Sequence, residues 1–176
     1  VARVFLEDSN ETVAWNIFDA SSLITLNGAG QVFLTDDDVV RLNQELEAEG
    51  FSERLVNDNA PKFVVGEIVE MTAHRDRDHL NICQVKIAED KTVQIVAGAP
   101  NAKLGLKTIV ALPGAMMPNG SLIFPGKLRG EDSFGMMCSP RELALPNAPQ
   151  KRGIIELDET SVVGEAFDSQ KHWIQG

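Results

Sequence analysis

Apolar and polar residues along this chain follow two different periods, and the change between them divides it. In the first part, VARVFLED (1–8) and TVAWNIFD (12–19) alternate as half-buried strands do, with DSNE (8–11) between them as a turn. A third short apolar run, QVFLT (31–35), follows Gly28 and Gly30. The period then becomes helical. In TDDDVVRLNQELEAEG (35–50), Thr35 with Asp38 three residues on predicts an N-cap, Val39, Leu42 and Leu46 recur on one face, and Gly50 supplies the stop. After Asn59-Ala60-Pro61 the period returns to two. FVVGEIVEMTA (63–73), LNICQVKIA (80–88), TVQIVAGA (92–99), KTIVALPG (107–114), SLIFPGKLRG (121–130) and GIIELDE (153–159) read as strands, with one short helix expected at SPRELAL (139–145). Short strands punctuated by Gly and Pro predict a small antiparallel barrel of the oligonucleotide- and oligosaccharide-binding (OB) size. The expected organisation is mostly β: an acidic α+β domain (1–60), an OB-fold barrel (61–168) and a C-terminal tail (169–176).

Charge sharpens this division. The 176 residues carry a net −10, yet residues 1–60 hold three basic against twelve acidic side chains, while 62–152 hold twelve basic against nine acidic. A cationic module beside an acidic one implies two different tasks, and the acidic one makes a poor polyanion-binding surface. Hydrophobic residues make up 43% of the chain, enough to bury a core without staples. Cys83 and Cys138 belong to no CxxC pair and read as reduced thiols. No secretory signal or membrane-length apolar run is evident, so a cytoplasmic location is expected, with no membrane partner. The chain opens at Val1, inside an apolar alternation, so some of the natural N-terminus is expected to be missing.

Three chemistries compete for the polar residues, and each has a plain structural alternative. Ser133 is not in a GxSxG elbow, because an extra residue separates it from Gly130. His74 and His79, with Asp76 and Asp78, lie five apart in a loop rather than at the helical i, i+4 spacing of a metal pair, and surface-loop charge explains them as well. Asp36-Asp37-Asp38 complement a helix N-terminus. Cys138, at the start of SPREL, is either a thiol activated by a helix end or a buried structural one. No metal, cofactor or catalytic residue is indicated.

The segments FVVGEIVEMTAHRDRDHLNICQVKI, QIVAGAPNAKLGLKTIVALPGAMMPNG and KLRGEDSFGMMCSPRELAL, in that order, resemble the tRNA-binding OB domain. That domain occurs in bacterial phenylalanyl-tRNA synthetase β chains, at the end of many methionyl-tRNA synthetases and in endothelial-monocyte-activating polypeptide. With the residues before it, the whole looks closest to stand-alone bacterial proteins of the YtpR type. The resemblance rests on GAPN (98–101) and RGEDSFGMMCS (129–139) at this separation, and it covers about 62–168. It implies a non-catalytic protein whose partner is tRNA. It also implies that Ser133, Gly135, Met136, Lys127, Arg129 and the loop with Asn101 and Lys103 lie on the RNA face, joined by Arg75 and Arg77 where the family has a His-Pro loop. Glu131 and Asp132 would oppose phosphate unless they point away, so binding is expected to be weak. At each position the alternatives stand: Ser133 as a turn cap, Gly135 as strained backbone, Met136 as core, the cations as a charged edge. Without Tyr, and with only Phe63, Phe124, Phe134 and Phe167 in the barrel, most of them needed inside, recognition is expected through shape, phosphates and 2′-OH groups of a structured tRNA. The competing expectation is a protein-interaction or dimerisation module, such as a homodimer, that no longer binds RNA.

Overall fold

Arg3 organises the first hairpin. Strands β1 (Ala2–Phe5) and β2 (Thr12–Asn16) pair antiparallel, and the Arg3 guanidinium on β1 donates to Thr12 Oγ1 at 2.7 Å and pairs with Glu53 at 3.0 Å. A 3-10 turn (Ala20–Ser22) follows, then helix α1 (Asp36–Ala48). The computed structural model describes residues 1–27, 32–76 and 78–174, with two compact units, Val1–Asn59 and Ala60–Gly176.

Helix α1 begins and ends as its sequence dictates. Thr35 Oγ1 accepts from the Asp38 amide, and the Asp38 carboxylate accepts from the Thr35 amide, closing a capping box. At the other end Gly50 takes φ +88°, its amide bonds Glu47 O and that of Phe51 bonds Leu46 O, which satisfies the last carbonyls. Leu42 and Leu46 are buried, and Phe51 meets Trp15 edge-on at 4.9 Å. Residues 32–35 of the QVFLT run form no strand, and its Gln31 lies outside the described residues.

The second unit is an antiparallel sheet coiled towards a barrel, in the order β5-β4-β3-β6-β9. These strands are β3 (Phe63–Ala73), β4 (Asn81–Ala88), β5 (Lys91–Ala97), β6 (Lys107–Ala111) and β9 (Met136–Met137); β7 (Gly126–Leu128) and β8 (Glu131–Ser133) form a separate hairpin. The long β3 serves both sides, its first half pairing β6 and its second half β4, with a register irregularity between Ile68 and Glu70 where it bends. Gly66 lies at the crossing. A Cβ there would come within 2.6 Å of Val110 Cγ2 and 2.9 Å of Val85 Cγ1, so this close approach admits only hydrogen.

Alternation along β3 and β6 sends residues to two cores. Val64, Ile68, Val85, Ile95 and Val110 fill the coil, whereas Val65, Ile109, Cys138, Leu143 and Ile155 pack on its other face beside Phe167 and Trp173. Residues 164–167 return along the start of β3: Val65 N donates to Glu165 O at 2.9 Å, Gly164 N to Val65 O at 2.8 Å and Phe167 N to Phe63 O at 2.9 Å. Helix α2 (Ser169–His172) follows, with Lys171 and His172 both bonded to Glu165.

Two expected elements are replaced. SPRELAL forms one hydrogen-bonded turn rather than a helix: Ser139 and Glu142 cap each other, but Ala144 and Asn147 adopt left-handed φ of 51° and 54°, and Pro146 supplies no N–H. GIIELDE is extended but forms no ladder, with Ile155 N bonded to Cys138 O and Leu157 N to Lys107 O. Gly153, its first residue, at φ +145° turns the backbone out of strand geometry.

Candidate nucleic-acid interface

The Arg129-Gly130 pair turns β7 into β8. Both residues have positive φ (54° and 90°), which a two-residue hairpin of this twist requires. Buried His74 holds the turn from the end of β3. Its Nδ1 accepts from the Asp76 amide at 3.2 Å, so Nε2 carries the proton and donates to Arg129 O at 3.2 Å.

The hairpin then closes on the outer edge of β5. Phe134 N donates to Gln94 O at 2.8 Å, Gln94 Nε2 to Asp132 O at 2.8 Å, and Val96 N to Ser133 Oγ at 3.2 Å. The Ser133 hydroxyl thus stands in for a strand carbonyl and covers an edge amide. Gly135 follows at φ +141°, and a Cβ on it would lie 2.9 Å from Ala111 O. Met136 pairs with Ala111 and packs half-buried against the second core.

The expected contact residues therefore separate into two groups. Asn101 is a clip: its Nδ2 donates to Ile154 O and Glu156 Oε1, both at 2.9 Å, and its Oδ1 accepts from Ile154 N at 2.9 Å. Asn101, Ser133, Gly135 and Met136 shape the surface with groups already engaged inside the protein. Arg75, Lys103, Lys127 and Arg129 are exposed, and Arg77 lies outside the described residues. Lys127 Nζ sits 2.6 Å from Asp132 Oδ1, and this hydrogen bond holds the ammonium above its ordinary pKa. The Asp132 charge is thus matched by Lys127. The Arg129 side chain has no ion pair among the described residues, and with Asp76, Asp78 and His79 it lines a shallow recess.

A cleft of about 280 Å³ adds cations that the motifs do not include. Arg141, Lys151 and Arg152 line it with the Gly98-Ala99-Pro100 backbone, Ser139, Glu142 and Met136. Arg152 Nη2 reaches Gly98 O at 3.3 Å, while the Arg141 and Lys151 side chains make no hydrogen bond or ion pair among the described residues. The adjacent Lys151-Arg152 ahead of Gly153 was the available signal. The aromatic residues also correct an expectation. Phe63 and Phe167 pack against the core, but Phe134 is 40% and Phe124 is 71% exposed. Phe124 precedes and Phe134 follows the β7–β8 hairpin, and both are exposed. Both thiols are buried, and desolvation pushes Cys83 up to about 11 and Cys138 up to about 12, so Cys138 is a structural thiol.

The family model described as "Putative tRNA binding domain" matches residues 63–166, and one described as a domain of unknown function (DUF4479) matches residues 1–58. The Bacillus subtilis (strain 168) protein called "Putative tRNA-binding protein YtpR" is 43% identical over 167 residues, which cover 95% of this chain and 83% of that protein. The phenylalanine–tRNA ligase β subunit of Rhodospirillum rubrum is 50% identical over 103 residues, covering 58% of this chain and only 12% of the subunit. A crystal structure of the C-terminal domain of Plasmodium vivax p43 superposes with a TM-score of 0.43 at 20% identity, covering 66% of this chain and 76% of that one. These family matches, together with 43% identity across 95% of the chain, make it a member of the tRNA-binding domain family and, within it, of the YtpR-like proteins.

Proposed function

We propose that the protein binds structured tRNA in the cytoplasm without catalysing a reaction on it, and that residues 61–168 do the binding while the acidic 1–60 domain serves another purpose. The observation that carries this reading is the set of unpaired cations around the closing hairpin and the adjacent cleft. In a chain of net −10, acidic partners are abundant, yet Arg129, Arg141 and Lys151 have none among the described residues. Exposed charges of this kind suit phosphate oxygens, and the backbone groups of the Gly98–Pro100 loop suit a 2′-OH. Arg75 and Lys103 extend the cationic surface. Lys127 contributes less, because RNA must compete with Asp132 for it.

Titration with bulk tRNA at several salt concentrations tests the reading. Removing one cation that neutralises a phosphate should lower the magnitude of d log K/d log[salt] by about 0.7–0.9. Arg129→Ala combined with Lys151→Ala should therefore reduce the slope by roughly one and a half units, and Lys127→Ala by less than about one. Folded tRNA should also outcompete a poly-pyrimidine strand of similar length. An unchanged slope in a folded double variant, or preference for the single strand, would refute it.

A further inference from the structure

We propose that Phe134 is a base-stacking platform, on whose ring one unpaired base of the bound RNA lies; this rests on the tRNA-binding reading above. Phe134 sits between two residues with inward duties, Ser133 and Gly135, yet is itself 40% exposed. Its backbone is fixed on both sides. Ser133 Oγ accepts from Val96, the Phe134 amide donates to Gln94 O, and Gly135 is wedged against Ala111 O. A ring presented from so rigid a base gives up little freedom when a ligand covers it.

Strand alternation gives the direction. Ser133 turns inward to β5, so Asp132 and Phe134 share the opposite side, where the Lys127–Asp132 pair lies. Phe134 follows the ladder's last pair, Gly126 with Ser133, and the exposed Phe124 precedes it by two residues on the other strand. An aromatic face beside cations is complementary to a nucleotide: the ring meets the base and the cation meets the phosphate. A purely apolar protein partner would desolvate the Lys127–Asp132 pair and leave Arg129, which has no ion pair among the described residues, without an anion, and this disfavours that occupant. Stacking also differs from the phosphate contacts in being insensitive to salt and tolerant of base identity.

Three versions of the full chain decide the matter: wild type, Phe134→Leu, which keeps an apolar side chain without a π face, and Phe134→Trp, which enlarges that face. Each is titrated with tRNA at two salt concentrations after thermal melts show that it is folded. Phe134→Leu should bind about five- to 150-fold more weakly, the range for one stacked base, with an unchanged salt slope. Phe134→Trp should bind within about twofold of wild type, and tRNA should quench its indole fluorescence beyond the change shown by Trp15 and Trp173 in wild type. Wild-type affinity in Phe134→Leu, no added quenching in Phe134→Trp, or a loss of self-association in place of RNA affinity would each overturn the platform. Wild-type protein that fails to bind tRNA would instead overturn the reading beneath it. If Phe134→Leu unfolds, the quenching experiment decides alone.

Discussion

Replacing Gly135 by Ala tests how the barrel is closed. At φ +141° an L residue is strained by about 1–3 kcal/mol whatever surrounds it. The added Cβ would also stand 2.9 Å from Ala111 O, a backbone atom fixed in β6, and relief by backbone shift adds about 1–3 kcal/mol. The total of about 2–6 kcal/mol is a large part of the ~5–15 kcal/mol that stabilises an ordinary domain. At roughly 2–4 °C per kcal/mol, the melting temperature should fall by about 4–24 °C, followed by circular dichroism or calorimetry. Gly120→Ala is the comparison without an overlap, since Gly120 has φ +87° and, among the described residues, nothing within 4 Å of its Cβ position. Gly135→Ala should lose more, from the overlap together with its less accessible φ. Equal melting temperatures would refute the argument that Gly135 is required by the approach of Ala111.

Thr108 is fully buried in β6 and its Oγ1 has no hydrogen-bond partner among the described residues, so Thr108→Val, which keeps the shape and removes the orphaned hydroxyl, should stabilise by about 1–3 kcal/mol in denaturant titration; a lower midpoint would contradict this. Glu165 accepts from Lys171 Nζ at 2.6 Å and from His172 Nε2 at 2.8 Å, and these partners hold its carboxyl at about 2 against an ordinary 4.5. A depressed folded pKa gives stability that is complete above about pH 4.5 and is lost as pH falls towards 2, so wild type should lose more stability than Glu165→Gln across that window. Parallel pH profiles of the two proteins would count against a stabilising role for these two bonds.

The elements most legible in the sequence were those whose periodicity reports burial directly. β3 to β6 alternate against a packed face, and Thr35, Asp38 and Gly50 mark helix α1 by chemistry that acts within a few residues. SPRELAL carried a genuine capping pair, Ser139 with Glu142, but a cap specifies a start rather than a length, and the left-handed residues after Leu143 end the turn. Polar residues were harder to place. Asn101 and Ser133 carry the groups that would bind RNA, yet both satisfy backbone within the protein, because their partners at 154 and 96 arrive from distant segments. The cleft cations were missed for the same reason: Arg141 and Lys151 are ten residues apart and meet only through the 139–145 turn and the Asn101 clip. The exposure of Phe134 depends on the hairpin's docking against Gln94, which no local pattern encodes.

The hydrogen bonds that set residues 164–167 alongside 63–65 place the two ends of the barrel next to each other. A host polypeptide can leave its own fold, run through this module and resume within the width of a strand pair. The barrel therefore behaves as a cassette: spliced into a surface loop, or carried at either end of a longer protein, it asks its host for little more than a gap of about 5 Å, the spacing of neighbouring strands. Joining its ends with a short linker and opening it at the exposed 118–121 turn should likewise leave the binding face intact.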